Sequence, residues 1–221
     1  MRTKLTKNRK ILQLGFISLF SIAACVVIIP LTSCFGGNDY KPIPTDLLDI
    51  REDESTNEMT LYGLNTKGEI TDFSKYDTLL IPSNVKVVED NAFNQELHPN
   101  ESFNKYIENI DYATDAISIW YKIGVGAFAG MSNLADATLP RSFTTFSANC
   151  FQNCIEFAFL EIDALQVIPF VNTMLDNTSF NVDPSLNDAG FILWTQSLAN
   201  SYASASGWQA YPHDCFFWVD D

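Results

Sequence analysis

Cys150 and Cys154 stand four residues apart in the stretch TLPRSFTTFSANCFQNC, residues 138–154, of a chain with five cysteines and two histidines in 221 residues. Thiols at that spacing can do three things. With Cys215 and His213 they complete the four ligands of a tetrahedral zinc site, although Cys-x3-Cys with His-x-Cys sixty residues on is not a spacing that marks zinc. One of them can pair with Cys215 in an oxidising compartment. Or both are small apolar side chains in a packed core, since free cysteine is among the most buried residue types.

Other chemistry is thinly provided. Histidine occurs only at His98 and His213, and nothing marks a nucleophile beside either, so no Ser-His-Asp set is assigned. Gly124-x-Gly126 lacks the strand, helix and acidic residue that a dinucleotide site requires. The acidic run DIREDE, residues 49–54, lacks the spacing of a calcium loop. Carboxylate pairs such as Glu89-Asp90 and Asp220-Asp221 carry no assignment in a chain with 27 acids. No catalytic activity, cofactor or metal is expected.

The thiol with the strongest chemical setting lies near the N-terminus. Arg2, Lys4, Lys7, Arg9 and Lys10 form a charged head, and Ile11 to Leu31 follow without a charge, the layout of an export signal. Leu31-Thr32-Ser33-Cys34 then resembles the lipobox of bacterial lipoproteins. That resemblance implies cleavage before Cys34 and its diacylation (a palmitate-type anchor), placing the protein on the extracellular face of the cell membrane. Two acyl chains hold a protein at a surface that one chain holds only marginally. Ile22-Ala23-Ala24-Cys25 fits the same pattern but would leave VVIIPL on the mature chain, so Cys34 is preferred. An uncleaved anchor helix is the alternative, at the lower limit of spanning length.

Removal of residues 1–33 takes away all five basic residues of the head, leaving 8 Lys and Arg against 27 Asp and Glu. So acidic a surface repels phosphate backbones and anionic lipid heads, which excludes nucleic acid as a partner. Residues 34–57 are polar, acidic and proline-bearing, and are expected to form a flexible tether.

The rest of the chain repeats. LLIPSNVKVVEDNAF, residues 79–93, aligns with ATLPRSFTTFSANCF, residues 137–151, through Pro82 and Pro140 and through Phe93 and Phe151. Phe128 lies 23 residues before Phe151, and Cys150 takes the place that Ala92 and Ala127 hold in the other copies. Cys154 falls where Met131 stands one period earlier, which favours the core reading of the thiols. The 35 residues from Phe93 to Phe128 exceed one period by 12, so an insertion is expected near 97–115. A coil of about two dozen residues cannot bury its own apolar positions and must stack on the next. Leu139 and Ile162 are expected on short inward-facing strands, with the prolines at turns and Phe filling the interior.

These residues point to a family. The pattern L-P-x-S-[VF]-x-x-[IVF]-x-x-x-[AC]-F-x-x-C resembles the BspA-type leucine-rich repeat of bacterial surface proteins. The segment from Ile192 to Trp208 resembles the helical cap that closes such arrays: Leu198, Tyr202 and Ala205 share one face, Thr195 suits an N-cap and Gly207 a helix end. The resemblance implies a β-rich α/β solenoid: about four coils of ~23 residues over 58–191 and a C-terminal helical cap over 192–221. It also implies adhesion or host contact through an unknown protein ligand. Tyr106, Trp120 and Tyr121, in or beside the insertion, are the candidate anchors for a partner, with packing against the array as the alternative. A solute-binding lipoprotein of a transporter and a structural or antigenic coat protein are the rival functions.

Overall fold

Runs with an apolar residue at every second position bury one face of a strand and leave the other to solvent. The computed structural model describes residues 41–65, 72–98, 102–113, 118–182, 189–212 and 215–219. All belong to one unit of the chain, Tyr40–Asp221; the other, Met1–Asp39, holding the charged head, Cys25 and Cys34, lies outside the described residues.

Ten strands form among the described residues: β1 (Leu48–Glu52), β2 (Met59–Leu64), β3 (Thr78–Ile81), β4 (Val87–Val88), β5 (Asn109–Tyr112), β6 (Lys122–Ile123), β7 (Asp136–Leu139), β8 (Phe159–Ile162), β9 (Gly190–Leu193) and β10 (Phe216–Trp218). They make a short sheet in the order β1-β2-β4-β6 and a long sheet in the order β3-β5-β7-β8-β9-β10. Every pairing is parallel except the β1–β2 hairpin. Parallel neighbours in sequence order, joined by crossovers that visit a second sheet, are what a solenoid-like α/β fold requires.

One coil shows how the sequence produces this path. Leu79 and Ile81 of β3 face inward, and Pro82 opens a turn closed by Val85 N–H donating to the Pro82 carbonyl at 3.0 Å. β4 then joins the short sheet. Pro140 repeats the turn after β7, with Phe143 N–H on its carbonyl at 2.9 Å, and Thr145 bridges Lys122 in place of a full strand. A third ladder runs along the turns that lead back: Phe93 N–H donates to Ala127 O at 2.7 Å, Phe128 N–H to Cys150 O at 2.9 Å and Phe151 N–H to Met174 O at 3.0 Å. Asn91, Gly126 and Asn149 occupy the same left-handed position of these turns, with φ of 59°, 61° and 59°. Asparagine and glycine are the residues that adopt it most readily.

The interior is an apolar row and an aromatic spine. Leu79, Ile110, Ala137, Leu160, Phe191 and Phe216 are successive register partners across the long sheet, all buried. Phe93 stacks on Phe128 and Phe128 on Phe151, each pair 5.6 Å apart between ring centres, and Phe151 stacks on Phe157 at 4.6 Å. Each buried Phe contributes about 1.5–3 kcal/mol.

Four expectations are corrected or refined. The segment 97–115 is not a bare insertion: it carries β5, whose buried Ile110 takes a rung between Leu79 and Ala137, with half-buried Tyr112 beside Ile81. The long sheet therefore has six strands where about four coils were expected, and their spacing is uneven: Leu79 to Ile110 spans 31 residues, Ala137 to Leu160 spans 23. The expected tether, 34–57, is held in the fold from the first described residues on: Pro42 bridges Thr78, Ile43 is buried and donates its N–H to the Thr78 carbonyl at 2.9 Å, and β1 pairs with β2 through backbone bonds while burying Leu48 and, partly, Ile50. The helix Gln196–Ser204 packs on β9 and β10 through Ala199 and Tyr202, and it ends at an extended Ala205, two residues before Gly207.

Candidate functional site

Residues that alternate with the inward row must point out of the long sheet, and there the chain places its acids side by side. Asp111 is on β5, Asp136 on β7 and Glu161 on β8, three adjacent strands. Adjacent strands are about 4.8 Å apart, so these carboxylates lie within about 10 Å across the sheet. In register, Asp136 pairs with Asn109 and Phe159, and Glu161 with Thr138 and Ile192. Towards the last strands the same face turns apolar: Phe159, Ile192 and Phe217 are half-buried, and the Phe217 ring lies over Gly190, where a Cβ would come within 2.2 Å of it.

The carboxylates are poorly compensated. Among the described residues no side chain donates to Asp136 or Glu161 and no cation pairs with Asp111, Asp136 or Glu161; Asp111 accepts only the N–H of its neighbour Tyr112, at 2.7 Å. Arg141 reaches Asp163 at 3.7 Å. Burial pushes Asp136 up to about 7, with Glu108 adding repulsion. Glu161 is likewise pushed up to about 7, by burial and then by Asp111, Asp163 and Asp136. Asp111 is raised by burial. Like charges and partial desolvation both favour the protonated acid.

The three aromatic residues proposed as anchors do not gather on this face. Trp120 is fully buried, 0% exposed, against the edge of the Phe143 ring at 5.4 Å, and its Nε1–H donates to the Lys122 carbonyl at 3.0 Å, so packing, not partner contact, accounts for it. Tyr121 donates its O–H to Glu58 Oε2 at 2.7 Å on the short sheet, beside Lys86, whose Nζ is 3.6 Å from Glu58. Tyr106, 39% exposed, follows the 3-10 turn Ser102–Lys105.

Cys150, Cys154 and Cys215 are all buried, and Cys150 and Cys154 are free thiols. The Cys154 thiol contacts the Phe128 carbonyl at 3.1 Å, and burial pushes it up to about 12 and Cys150 higher still, so neither offers a thiolate at neutral pH. Pro82, Phe93, Phe128, Pro140 and Phe151 occupy turn and spine positions of the coils. His213 and the Asp220-Asp221 pair lie outside the described residues, and among the described residues no three His, Cys, Asp or Glu side chains gather as a metal-holding group. The acidic face itself escaped the sequence reading, because only the strand register reveals that three scattered acids share it.

The model of the BspA type leucine rich repeat region matches residues 70–158 and 99–187, in six copies, which together span more than half of the chain. A crystal structure of a leucine rich repeat protein from T. pallidum is 15% identical, covering 55% of this chain and 71% of that one, with a TM-score of 0.30; at that score the likeness carries no argument. No curated protein matches.

Proposed function

The chain belongs to the BspA type leucine rich repeat family, and from that premise we propose that it is a surface lipoprotein, anchored through Cys34, that binds another protein across the outward face of its long sheet. The observation that carries this reading is the set of partly buried, unpaired carboxylates on β5, β7 and β8 beside the apolar positions Phe159, Ile192 and Phe217. A protein selected for stability alone gains nothing from such charges, and uncompensated groups on an accessible face mark a place where a partner completes the contacts. The helix Gln196–Ser204 would close the last coil, as the open end of a repeat array requires. The acyl anchor would hold the sheet face outside the membrane, where adhesion needs it.

The anchor is tested by mass spectrometry of the membrane fraction: a diacylated N-terminal Cys34 is expected, and an intact residue 1 or an unmodified Cys34 overturns it. Adhesion is tested by presenting the full chain in detergent to candidate surface proteins. Saturable capture that a leucine-rich-repeat control lacks is expected, whereas capture equal to the control leaves a coat protein without a dedicated ligand.

A further inference from the structure

Resting on that reading, we infer that the outward face of the long sheet takes a polypeptide segment bearing lysine or arginine, its cations set against Asp136 and Glu161 and its apolar side chains against Phe159, Ile192 and Phe217. Three independent features select this occupant over others.

Charge comes first. Asp136 and Glu161 have no hydrogen-bonding or ionic partner among the described residues, so a cation arriving there displaces no internal pair and relieves the repulsion among Asp111, Asp136 and Glu161. An acidic or phosphorylated segment would add to that repulsion, and like-charge juxtaposition across an interface is strongly disfavoured.

Geometry decides between a cationic side chain and a metal ion. The acids are distributed one per strand across β5, β7 and β8 and do not converge as a metal-holding group. Separate carboxylates suit separate ammonium or guanidinium groups, each of which needs only one. An extended segment also repeats its side chains every second residue at about 6–7 Å, a spacing comparable to that between acids on neighbouring strands.

The apolar end supplies the third feature. Lysine and arginine carry long methylene stems, and arginine stacks on aromatic rings, so the Phe217 ring against Gly190 beside Ile192 offers apolar surface to the stems of side chains whose heads reach the acids. A solvated metal ion or a small polyamine would leave that half of the face unused.

Binding should respond to pH near neutrality. Facing Asp136 and Glu161 are Glu108, which precedes β5, Asp111 and Tyr112 of β5, and Asp163, which follows β8 and is paired with Arg141; β9 contributes the uncharged Gly190 and Ile192. Both acids are pushed up to about 7, so at pH 6 they are largely neutral and at pH 8 largely charged. A cationic segment therefore binds more tightly as pH rises through 7.

The test uses the full chain in nonionic detergent with two labelled twelve-residue peptides, one alternating lysine and phenylalanine, the other glutamate and phenylalanine, read by fluorescence anisotropy. The lysine peptide is expected to bind at least about tenfold more tightly at pH 8 than at pH 6, and the glutamate peptide not to bind. The double variant Asp136→Asn, Glu161→Gln should lose about tenfold at pH 8 and little at pH 6, with a melting temperature no lower than the parent's, which separates lost binding from lost folding. Equal affinity of parent and double variant at pH 8, or equal affinity for both peptides, overturns the inference. If a protein partner is captured and its binding ignores the double variant, the inference falls while the wider reading stands; if the lysine peptide binds as stated but no partner is captured, the inference holds and adhesion is what fails.

Discussion

Each coil shows solvent a turn on one side and a strand of the long sheet on another, and the two sides treat polar groups in opposite ways. Along the turns, Asn94 Nδ2 donates to Asn91 Oδ1 at 3.0 Å, Asn177 Nδ2 to Asn153 Oδ1 at 2.9 Å, and Asn153 Nδ2 to Glu96 Oε1 at 3.1 Å. On the long sheet, Asp136 and Glu161 have no hydrogen-bonding or ionic partner among the described residues, and acidic neighbours repel them. The turn side uses its polar groups to hold the stack together. The sheet side loses stability to carboxylates that repel one another and leaves a charged, partly apolar surface exposed.

The largest effect should come from beneath the turn side. Phe128 stacks between Phe93 and Phe151 and is fully buried, so Phe128→Ala opens a cavity in the spine and should cost about 3–5 kcal/mol in urea unfolding. A cost under about 1 kcal/mol would mean that the spine does not hold the coils, and the contrast between the two sides would lose its structural half.

The sheet side should answer with the opposite sign. The folded-state affinity of Asp136 and Glu161 for protons is raised above that of free carboxylates, so the folded chain binds more protons than the unfolded one between about pH 4 and about pH 7. Stability should fall as pH rises through that window, and Asp136→Asn with Glu161→Gln should raise it by about 1–3 kcal/mol at pH 8. The gain should shrink as pH falls through 7 and vanish near pH 4, which paired denaturation curves at the three pH values would show. A double variant less stable than the parent at pH 8 would mean that the acids are structural after all.

These two sides were also unequally legible in the amino-acid sequence. Phe128 and Phe151, like Met131 and Cys154, recur one period apart because a stacked interior demands an apolar residue at the same place in successive coils, and such a demand leaves a period. β5 left almost none: Ile110 is its one fully buried residue, so NIDY reads as polar loop until its strand partners are known. β1 was equally hidden, since LDIRE holds its place mainly through backbone bonds to β2, which composition does not record. The carboxylates were passed over for a different reason. No structural demand repeats them, and Asp111, Asp136 and Glu161 become a group only when β5, β7 and β8 are laid side by side. Trp120 misled in the reverse direction: an aromatic residue next to a polar segment suggested a surface anchor, but its indole N–H finds the Lys122 carbonyl and its ring fills the core.

A smaller effect sharpens the account of the turn side. Gly126 holds φ at 61° and a Cβ there would sit 2.8 Å from Asn91 Oδ1, so Gly126→Ala should cost about 1–2 kcal/mol. Asn149, in the same position one coil later, already tolerates that backbone, and Asn149→Gly should stay within about 0.5 kcal/mol of the parent. Thermal melts of the two variants compare one position in two coils, and similar costs for both would refute their equivalence.

The smallest effect lies where β9 leaves the long sheet. Thr195 Oγ1 accepts the Leu198 N–H at 3.1 Å and caps the helix Gln196–Ser204, so Thr195→Ala should cost about 1 kcal/mol, read as a lower urea midpoint. Glu161 on β8 is the register partner of Ile192 on β9, which stands three residues before Thr195, yet removing the Glu161 charge should stabilise. One substitution removes a hydroxyl just beyond β9 and the other a charge on neighbouring β8, and they should move the midpoint in opposite directions at pH 8. The cap answers a need of the backbone, because the helix's first N–H groups have no partner of their own. Among the described residues no group is hydrogen-bonded or ion-paired to the Glu161 carboxylate. A loss of stability in Glu161→Gln as large as in Thr195→Ala would place Glu161 among the structural groups and leave the sheet face without its distinguishing charge.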